Sequence, residues 1–540
     1  MSGIAERSIT SRAEKIGSIA DRIAGRFGLK GSSAAGALAV AVPLGLIWLI
    51  AEPTVSDMAA QASRVGIFER QGWGIWSGQW YAGHHLPGYS LLMPPLGALV
   101  GIWWAGFLAV CAASVTTALV GSRAAGTPRQ AALIGSMLGL GCVASLVSGR
   151  TTWLLGLAIA GLAVDLLIDR RRIAVLPALI VAGASPLGAV MVAAGAAVCW
   201  LLRRDALSVL VTILALLPGV AISIVFPTGG SQPFPAWEFG PITLATALLF
   251  RFAPKDAKGL RTTIGVYLLM LLGAFILATP VGSNAARPGQ LAGTAAVVAA
   301  AIAGGNRRWL AWVFVALLTL QWVPPIQDLV RQWDQRSTEA AFYRPLIEQV
   351  QSRDRGAPPG RLEIVWTMNH WEDEYVAAKI PLARGWERQL DRRFNSSVNG
   401  DRVSPEAFRS WIDGLGVRWV AYPWAPLDRA IAGEAKLVRQ GLPWLEQVWR
   451  TPEWVLYRVK DPSPIADGPV TVTKLEPRKV LFTSSGLGTS TVKVRWSRWW
   501  GLEGIKGCLA PGPNGMTELR TTEAGSGSLK IGLGGSGPRC

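Results

Sequence analysis

Long apolar runs recur between residues 33 and 323, broken by short interruptions rich in Arg, Gly or Pro, whereas Asp, Glu, Arg and Lys become frequent from about 324 onward. A bilayer crossing takes roughly 20 predominantly apolar residues, fewer where neighbouring helices shelter the segment. On that basis the pattern predicts about eleven spans, at 33–51, 102–121, 131–148, 152–168, 173–184, 186–202, 206–226, 241–252, 262–279, 289–304 and 309–323. The expected fold class is therefore an α-helical polytopic membrane domain, 33–323, followed by a soluble portion. Before the first run, "ITSRAEKIGSIADRIAGRFGLK" puts Ile9, Ile16, Ile19, Ile23 and Phe27 near one helical face with basic residues elsewhere. Residues 1–32 are thus either a basic amphipathic helix on the cytoplasmic membrane surface or a solvated basic helix.

In the soluble portion the period changes. "RLEIVWT", "VRWVAYP" and "EWVLYRV" have strand character, with helical patterns near 405–414 and 428–440 between them, so 324–465 is expected to form an α/β domain. After "DPSPIADGP" the segments "VTVTKLE", "KVLFTSS", "TVKVRWSRWW" and "SLKIGLG" predict a β-rich domain over 466–540, a small β-sandwich.

Composition agrees with this division. Half of the 540 residues are hydrophobic and 16% are charged, with a formal net charge of +18. That charge would suggest nucleic acid if it formed a soluble stripe, but much of it lies in short loops between spans, which excludes a polyanionic partner as its main cause. Arg123 and Arg129, Arg170 to Arg172, Arg203 and Arg204, Lys255 to Arg261, and Arg307 with Arg308 all fall in alternate connections. The positive-inside rule assigns those connections to the cytoplasm. The expected protein is multi-pass in the plasma membrane, with a cytoplasmic N-terminus and an extracytoplasmic C-terminal portion. The opposite connections hold little positive charge beyond Arg64, Arg70, Arg150 and Arg287. No GxxxxGK[ST] loop or HExxH helix is present, and the glycine-rich tail opens no helix, so P-loop, zincin and dinucleotide chemistry have no support.

Candidate chemistry gathers in the expected outer loops. Asp57 follows the first span; it either caps a short interfacial helix or acts as a general base beside a low-dielectric boundary, with Glu52 and Glu69 as competitors. His84 and His85, two of three histidines, sit in "SGQWYAGHHLPGYSLLMPPL". They either satisfy backbone groups in a structural loop or hydrogen-bond a phosphate or sugar. No metal ligand set is assigned. Trp80 and its aromatic neighbours form an interfacial belt or stack on sugar faces. Arg287 either snorkels to the interface or holds a lipid phosphate. Cys508 and Cys540 fall in the expected outer β domain, where an oxidising compartment favours a disulfide worth roughly 3 kcal/mol. Cys111, Cys142 and Cys199 lie in apolar spans as buried thiols.

An acidic residue after the first span, followed by an aromatic loop ending in "HHLPGYSLLMPPL", resembles the first outer loop of the GT-C superfamily of polytopic glycosyltransferases. "ASPLGAVMVAAGAAV" and "TPVGSNAARPGQ" resemble later segments of its actinobacterial members. "NHWEDEYVAAKIPLARGWERQLDRRFN" and "GVRWVAYP" resemble the outer domain of actinobacterial membrane proteins of this sort. The resemblance implies inverting transfer from a polyprenyl-phosphate sugar donor to a lipid-linked or cell-wall glycan acceptor, with Asp57 as base. It implies donor and acceptor binding by His84, His85, Tyr89, Asn284, Arg287, Trp80 and Glu69, no certain cofactor, and contact with membrane lipids but no nucleic acid. No second acidic residue stands beside Asp57, so a divalent cation is left open. The WWD signature of oligosaccharyltransferases is missing, which disfavours protein glycosylation. The alternatives are a transporter or lipid flippase, for which only Asp165 offers a charge within the spans, and a non-catalytic envelope scaffold with a glycan-binding outer domain.

Overall fold

The computed structural model describes residues 2–534 and 537–540, and the side chains of all these except 2–24 and 26. The expected apolar face of Ile9, Ile16, Ile19 and Ile23 lies outside the described side chains. Each of the eleven apolar runs falls on a helix: α1 (Ser2–Ala51), then, after two helices of the first loop, α2 (Ser56–Gln71) and α3 (Met93–Val100), come α4 (Ile102–Gly121), α5 (Pro128–Val147), α6 (Thr151–Ile168), α7 (Val175–Ala184), α8 (Pro186–Arg203), α9 (Ala206–Val225), α10 (Ala236–Phe252), α11 (Lys258–Ile276), α12 (Arg287–Ile302) and α13 (Arg307–Gln332). Eight of these helices are long and apolar enough to cross a membrane. The other three, α7, α10 and α12, have 10, 17 and 16 residues. The chain between α7 and α8 reverses at Ser185, with Pro186 opening α8 where its missing N–H costs nothing. A loop segment from the far end of the bundle reaches in to meet this turn, as Leu91 and Leu92 N–H groups donate to the Gly183 carbonyl (2.7 and 3.1 Å).

Close helix packing comes from small residues. On α5, Gly135 and Gly139 face the backbone of Ser33 and Ala37 on α1, so near that a Cβ at either glycine would overlap main-chain atoms. Spacing of four residues puts both on one face, which is how apolar helices approach without a hydrophobic driving force. One end of the bundle carries a charge cluster: Lys30 Nζ lies 3.0 and 2.6 Å from Asp165 and Asp169, and Arg123 lies 2.5 and 3.1 Å from the same two carboxylates. Arg203 donates to the Leu167 and Ile168 carbonyls at this end (3.2 and 3.0 Å).

The other end carries the soluble portion and the first loop. In that loop β1 (Trp76–Ser77) and β2 (His84–His85) pair antiparallel, with Tyr81, Ala82 and Gly83 in positive φ at the turn. α13 continues past the expected boundary at 324, through Pro324 and Pro325, so the bundle passes into the soluble portion inside one helix. There follow α14 (Ala340–Arg353), β3 (Arg361–Ile364), α15 (Glu372–Tyr375), α16 (Arg388–Phe394), α17 (Pro405–Leu415), β4 (Val417–Pro423), α18 (Ala432–Gln440), β5 (Leu445–Arg450) and β6 (Trp454–Val459). The sheet order is β3-β4-β6-β5, parallel between β3 and β4 and antiparallel elsewhere. α17 shows why the local sequence works: Ser404 accepts the Ala407 N–H at its start (3.1 Å), and Gly416 ends it in the left-handed region.

The C-terminal strands β7 (Val470–Glu476), β8 (Lys479–Ser484), β9 (Gly488–Arg495), β10 (Trp500–Glu503), β11 (Gly507–Pro511), β12 (Met516–Thr521) and β13 (Gly525–Ile531) form two sheets, β10-β13-β8-β7 and β11-β12-β9. Alternating residues of both, such as Val472, Phe482, Val492 and Leu519, share one core. Trp76 of the first loop belongs to this core, edge-on to Trp500 at 5.6 Å. Cys508 and Cys540 are disulfide-bonded, Cα to Cα 5.2 Å, which fastens the glycine-rich tail to β11. Cys142 and Cys199 are buried free thiols and Cys111 is half-buried.

Candidate functional site

Asp57 lies in the first turn of α2, two residues after the cap position held by Val55, whose side chain makes no capping bond. Its carboxylate, among the described contacts, pairs with arginines rather than with the N–H groups of the first turn. Two indoles of the α/β domain fix the chain on either side of Val55: Trp371 Nε1–H donates to the Thr54 carbonyl (3.0 Å) and Trp386 Nε1–H to the Ser56 carbonyl (2.9 Å). One turn further on, buried Gln61 ties α2 to the α5–α6 connection. Its amide donates to the Asp57 carbonyl (2.9 Å) and to that of Gly149, and its oxygen accepts from Thr152 N–H and Oγ1 (2.9 and 2.8 Å).

That clamp brings Arg150 beside Asp57, with Nε 3.6 Å from Oδ2. Arg287 approaches the same oxygen from the start of α12, Nη2 at 4.0 Å. The Tyr267 hydroxyl sets that helix start, lying 3.1 and 3.2 Å from the Ala285 and Ala286 carbonyls and accepting the Gly289 N–H (3.0 Å). The Asp57 side chain is 38% exposed and those of Arg150 and Arg287 are 22% and 24% exposed, so all three can be reached. Tyr89 stands within electrostatic range of Asp57, Arg287, Arg64 and Glu387; burial pushes its phenol up, so it is protonated and able to donate. Arg64 lies over its ring at 3.8 Å and pairs with Glu387 at 2.5 Å. Asp328, delivered by the extension of α13, is within range of both Asp57 and Arg150.

Two guanidiniums aimed at one partly open carboxylate offer donors suited to a phosphate, which they would bind as paired N–H forks. The two groups nearest that oxygen are cations, and Asp328 is an acidic group within range of Asp57 that the sequence did not place there. No step is assigned to a divalent cation there.

The other expected site residues go elsewhere. Glu69 is exposed at the far end of α2, about 18 Å from Asp57 at 1.5 Å per residue. Asn284 is half-buried one turn before Arg287. Trp80 is fully buried and stacks on His84 (5.4 Å, 6°), so its ring face is covered by protein. His84 is buried with neither ring nitrogen hydrogen-bonded, and His85 contacts the Ile75 carbonyl (3.2 Å) and Ser497 (3.4 Å). Desolvation lowers His84 to about 3 and His85 to about 4, so both are neutral.

His84 and His85 form part of the wall of a separate cavity of about 920 Å3, between the first loop, α16, α17 and the β-sandwich. Arg393, Lys493, Arg495 and Arg498 also line it, together with Trp411 and Trp496, and no acidic side chain does. These cations are held by carbonyls: Arg495 by Tyr81 (3.1 Å), Arg498 by Val225 (3.0 Å), Lys493 by Asp413 (2.8 Å) and Arg393 by Thr228. Among the described residues none of the four has a carboxylate partner in an ion pair. Compared with known proteins, the chain matches no family model and no curated protein sequence.

The sequence reading assigned no role to Arg150, Arg64, Gln61, Asp328 or the four cations of the cavity. A signal for the first two was present. Arg64, Arg150 and Arg287 are among the few basic residues in the connections opposite the basic loops, and all three converge within range of Tyr89 or Asp57. The remainder depend on contacts across 80 or more residues of sequence, which no local pattern reveals.

Proposed function

We propose that the protein is a membrane glycosyltransferase that moves a sugar from a polyprenyl-phosphate donor to an extracytoplasmic glycan or glycolipid, with Asp57 as general base. The observation that carries this reading is the half-open Asp57 carboxylate at the end of the helical bundle, flanked at 3.6 and 4.0 Å by Arg150 and Arg287. In the proposed step an acceptor hydroxyl oxygen forms a bond to the anomeric carbon as the bond from that carbon to the phosphate oxygen breaks. The hydroxyl proton goes to Asp57, and the electron pair leaves with the polyprenyl phosphate, whose charge Arg150 and Arg287 stabilise. Attack opposite the leaving group inverts the anomeric centre. Tyr89, protonated beside them, is available to donate to a phosphate or sugar oxygen.

The anionic part of the acceptor, remote from its reacting hydroxyl, is assigned to the cavity lined by Arg393, Lys493, Arg495 and Arg498. Its four cations and three indoles, Trp76, Trp411 and Trp496, favour an anionic glycan or a phosphate-linked one, because indoles stack on sugar faces and guanidiniums hold anions. Against the transporter alternative, Asp165, the acidic residue that the apolar runs offered for a path through the bundle, is paired with Lys30 and Arg123 at the end away from Asp57. The test uses the purified full chain in lipid vesicles with polyprenyl-phosphate sugars and envelope glycolipid extract. Asp57→Asn is expected to lower transfer by about 10²-fold or more. Full retention of transfer by that variant would remove Asp57 from the role of base.

A further inference from the structure

Beside the indoles that hold the start of α2, the turn "TMNHWED" folds the third histidine into the α/β core. His370 has φ +59 and is fully buried, with its ring stacked on Trp386 at 3.7 Å and 8°. Its Nε2 lies 3.0 Å from Asp428 Oδ2, a carboxylate also held by Arg388 at 2.8 Å. With Nε2–H donating to Asp428, the neutral ring presents an Nδ1 lone pair that has no hydrogen-bond partner. That lone pair faces Glu372 Oε1 at 3.7 Å, too far for a hydrogen bond and repulsive if both atoms are lone-pair donors. Asp373 is 1% exposed and neither of its carboxylate oxygens is hydrogen-bonded; the Trp386 N–H faces it without completing a bond. Arg64 is within electrostatic range of Asp373 but spends its guanidinium on Glu387.

Ligand-capable atoms of His370, Glu372 and Asp373 all lie within 4.8 Å of one another. We infer that His370 Nδ1, Glu372 and Asp373 form a site for one divalent transition-metal ion of the Zn2+ or Mn2+ kind, which locks the turn that positions Asp57.

Three features argue for this. First, a carboxylate accepting the distal N–H of the histidine, as Asp428 does, is the usual outer partner of a metal-bound imidazole. Second, one neutral imidazole and two carboxylates neutralise a dication, so the ion would offset the cost of ionising a carboxyl as buried as Asp373. Third, the donor set of one nitrogen and two carboxylate oxygens suits Zn2+ or Mn2+ better than Ca2+, which takes six to eight oxygens. Ligands of a tetrahedral zinc lie about 3.3 Å apart, so binding would draw the three side chains together. Glu372 keeps its bonds to Thr367 N–H (3.1 Å) at Oε1 and to Thr367 Oγ1 (2.6 Å) and Tyr343 OH (3.2 Å) at Oε2, and a lone pair of Oε1 is left for the ion. The ion would be structural, acting on Asp57 through Trp371, next to Glu372 in sequence, and through Trp386, stacked on the His370 ring.

The test is the metal content of the full chain, purified in detergent and dialysed against metal-free buffer, together with its thermal midpoint with and without EDTA. Expected are about one ion per chain, a lower midpoint in EDTA, and recovery on adding Zn2+ or Mn2+ but not Mg2+. Asp373→Asn should bind less than about a tenth as much and lose its response to EDTA, while Asp57→Asn keeps both. Should Asp373→Asn fail to fold, Co2+ added to the stripped wild-type protein serves instead, with visible absorption bands expected from the bound ion. A metal-free wild-type protein that neither Zn2+ nor Mn2+ stabilises would overturn the inference, since His370 would then be an imidazolium bridging Asp428 and Glu372. Equal metal content in Asp373→Asn, or no Co2+ spectrum, would overturn it as well. The readout is independent of sugar transfer, so failure here leaves the role of Asp57 untouched.

Discussion

Gln61 does for the site what no catalytic group does: it satisfies Gly149, Thr151 and Thr152 at the α5–α6 connection while holding the first turn of α2. Gln61→Leu leaves the buried Thr152 N–H and the Thr151 and Thr152 hydroxyls without their acceptor, a loss of about 2 kcal/mol in stability, and lets Asp57 separate from Arg150. The expected result is a lower thermal midpoint in detergent together with a fall in transfer at unchanged protein yield. A second residue-scale prediction concerns acid. His84 is held near 3 in the folded chain against about 6.5 when unfolded, so between those values the unfolded state binds more protons. Stability therefore rises with pH through that window and is flat above it, the His84 contribution at pH 5 being a loss of about 2 kcal/mol. His84→Gln should reduce the slope of the thermal midpoint against pH between about 4 and 6.5, with His85 retaining its share of it. An unchanged slope would mean that His84 is solvated.

Among the elements, α2 is the one whose position matters most and whose own sequence explains least. It has no side-chain N-cap and is held at its start by indoles more than 300 residues away in sequence. Trp386→Phe keeps the aromatic stack on His370 but removes the donor to Ser56, so a lower turnover with little change in stability is expected, measured as kcat against thermal midpoint. The α1–α5 pair behaves in the opposite way, since its contact is written in the Gly135 and Gly139 spacing. Gly139→Leu forces a side chain against the α1 backbone, and the expected outcome is loss of monodisperse protein on detergent size-exclusion chromatography.

For the whole molecule, the first loop is the joint. Trp76 enters the β-sandwich core, Trp80 and Tyr81 enter the bundle and α/β core, and Arg495 of β9 reaches back to the carbonyls of Tyr81 and Ala82. The three units therefore enclose the basic cavity jointly, and its affinity depends on their docking. Arg393→Ala with Arg498→Ala is expected to weaken binding of an anionic glycan acceptor by about tenfold or more with kcat nearly unchanged, read from KM. Cys508→Ser opens a loop spanning a sequence separation of 32 and should cost about 3 to 4 kcal/mol in the chain-entropy picture, read as a lower thermal midpoint that added reductant does not shift further.

The hydrophobic period by itself determined that eleven apolar helices form and that strands follow them, because burial in lipid or in a core repeats at spacings that the chain displays locally. Residue type and place in the expected outer segments marked Asp57, Arg287 and the cysteine pair of the β-rich tail, whereas Tyr89 entered only through the resemblance. The helix lengths that matter for crossing a membrane were less legible, since α7 turns back at Ser185 under a loop that arrives from residues 91 and 92. Only the tertiary structure decided that Arg150 and Arg287 meet at one Asp57 oxygen, that Asp328 joins them through an extended α13, and that His84 and Trp80 turn inward. The physical reason is that each of these depends on a polar group finding a partner out of water. The nearest partner in space is set by how whole elements dock, while periodicity records only which face of an element is buried.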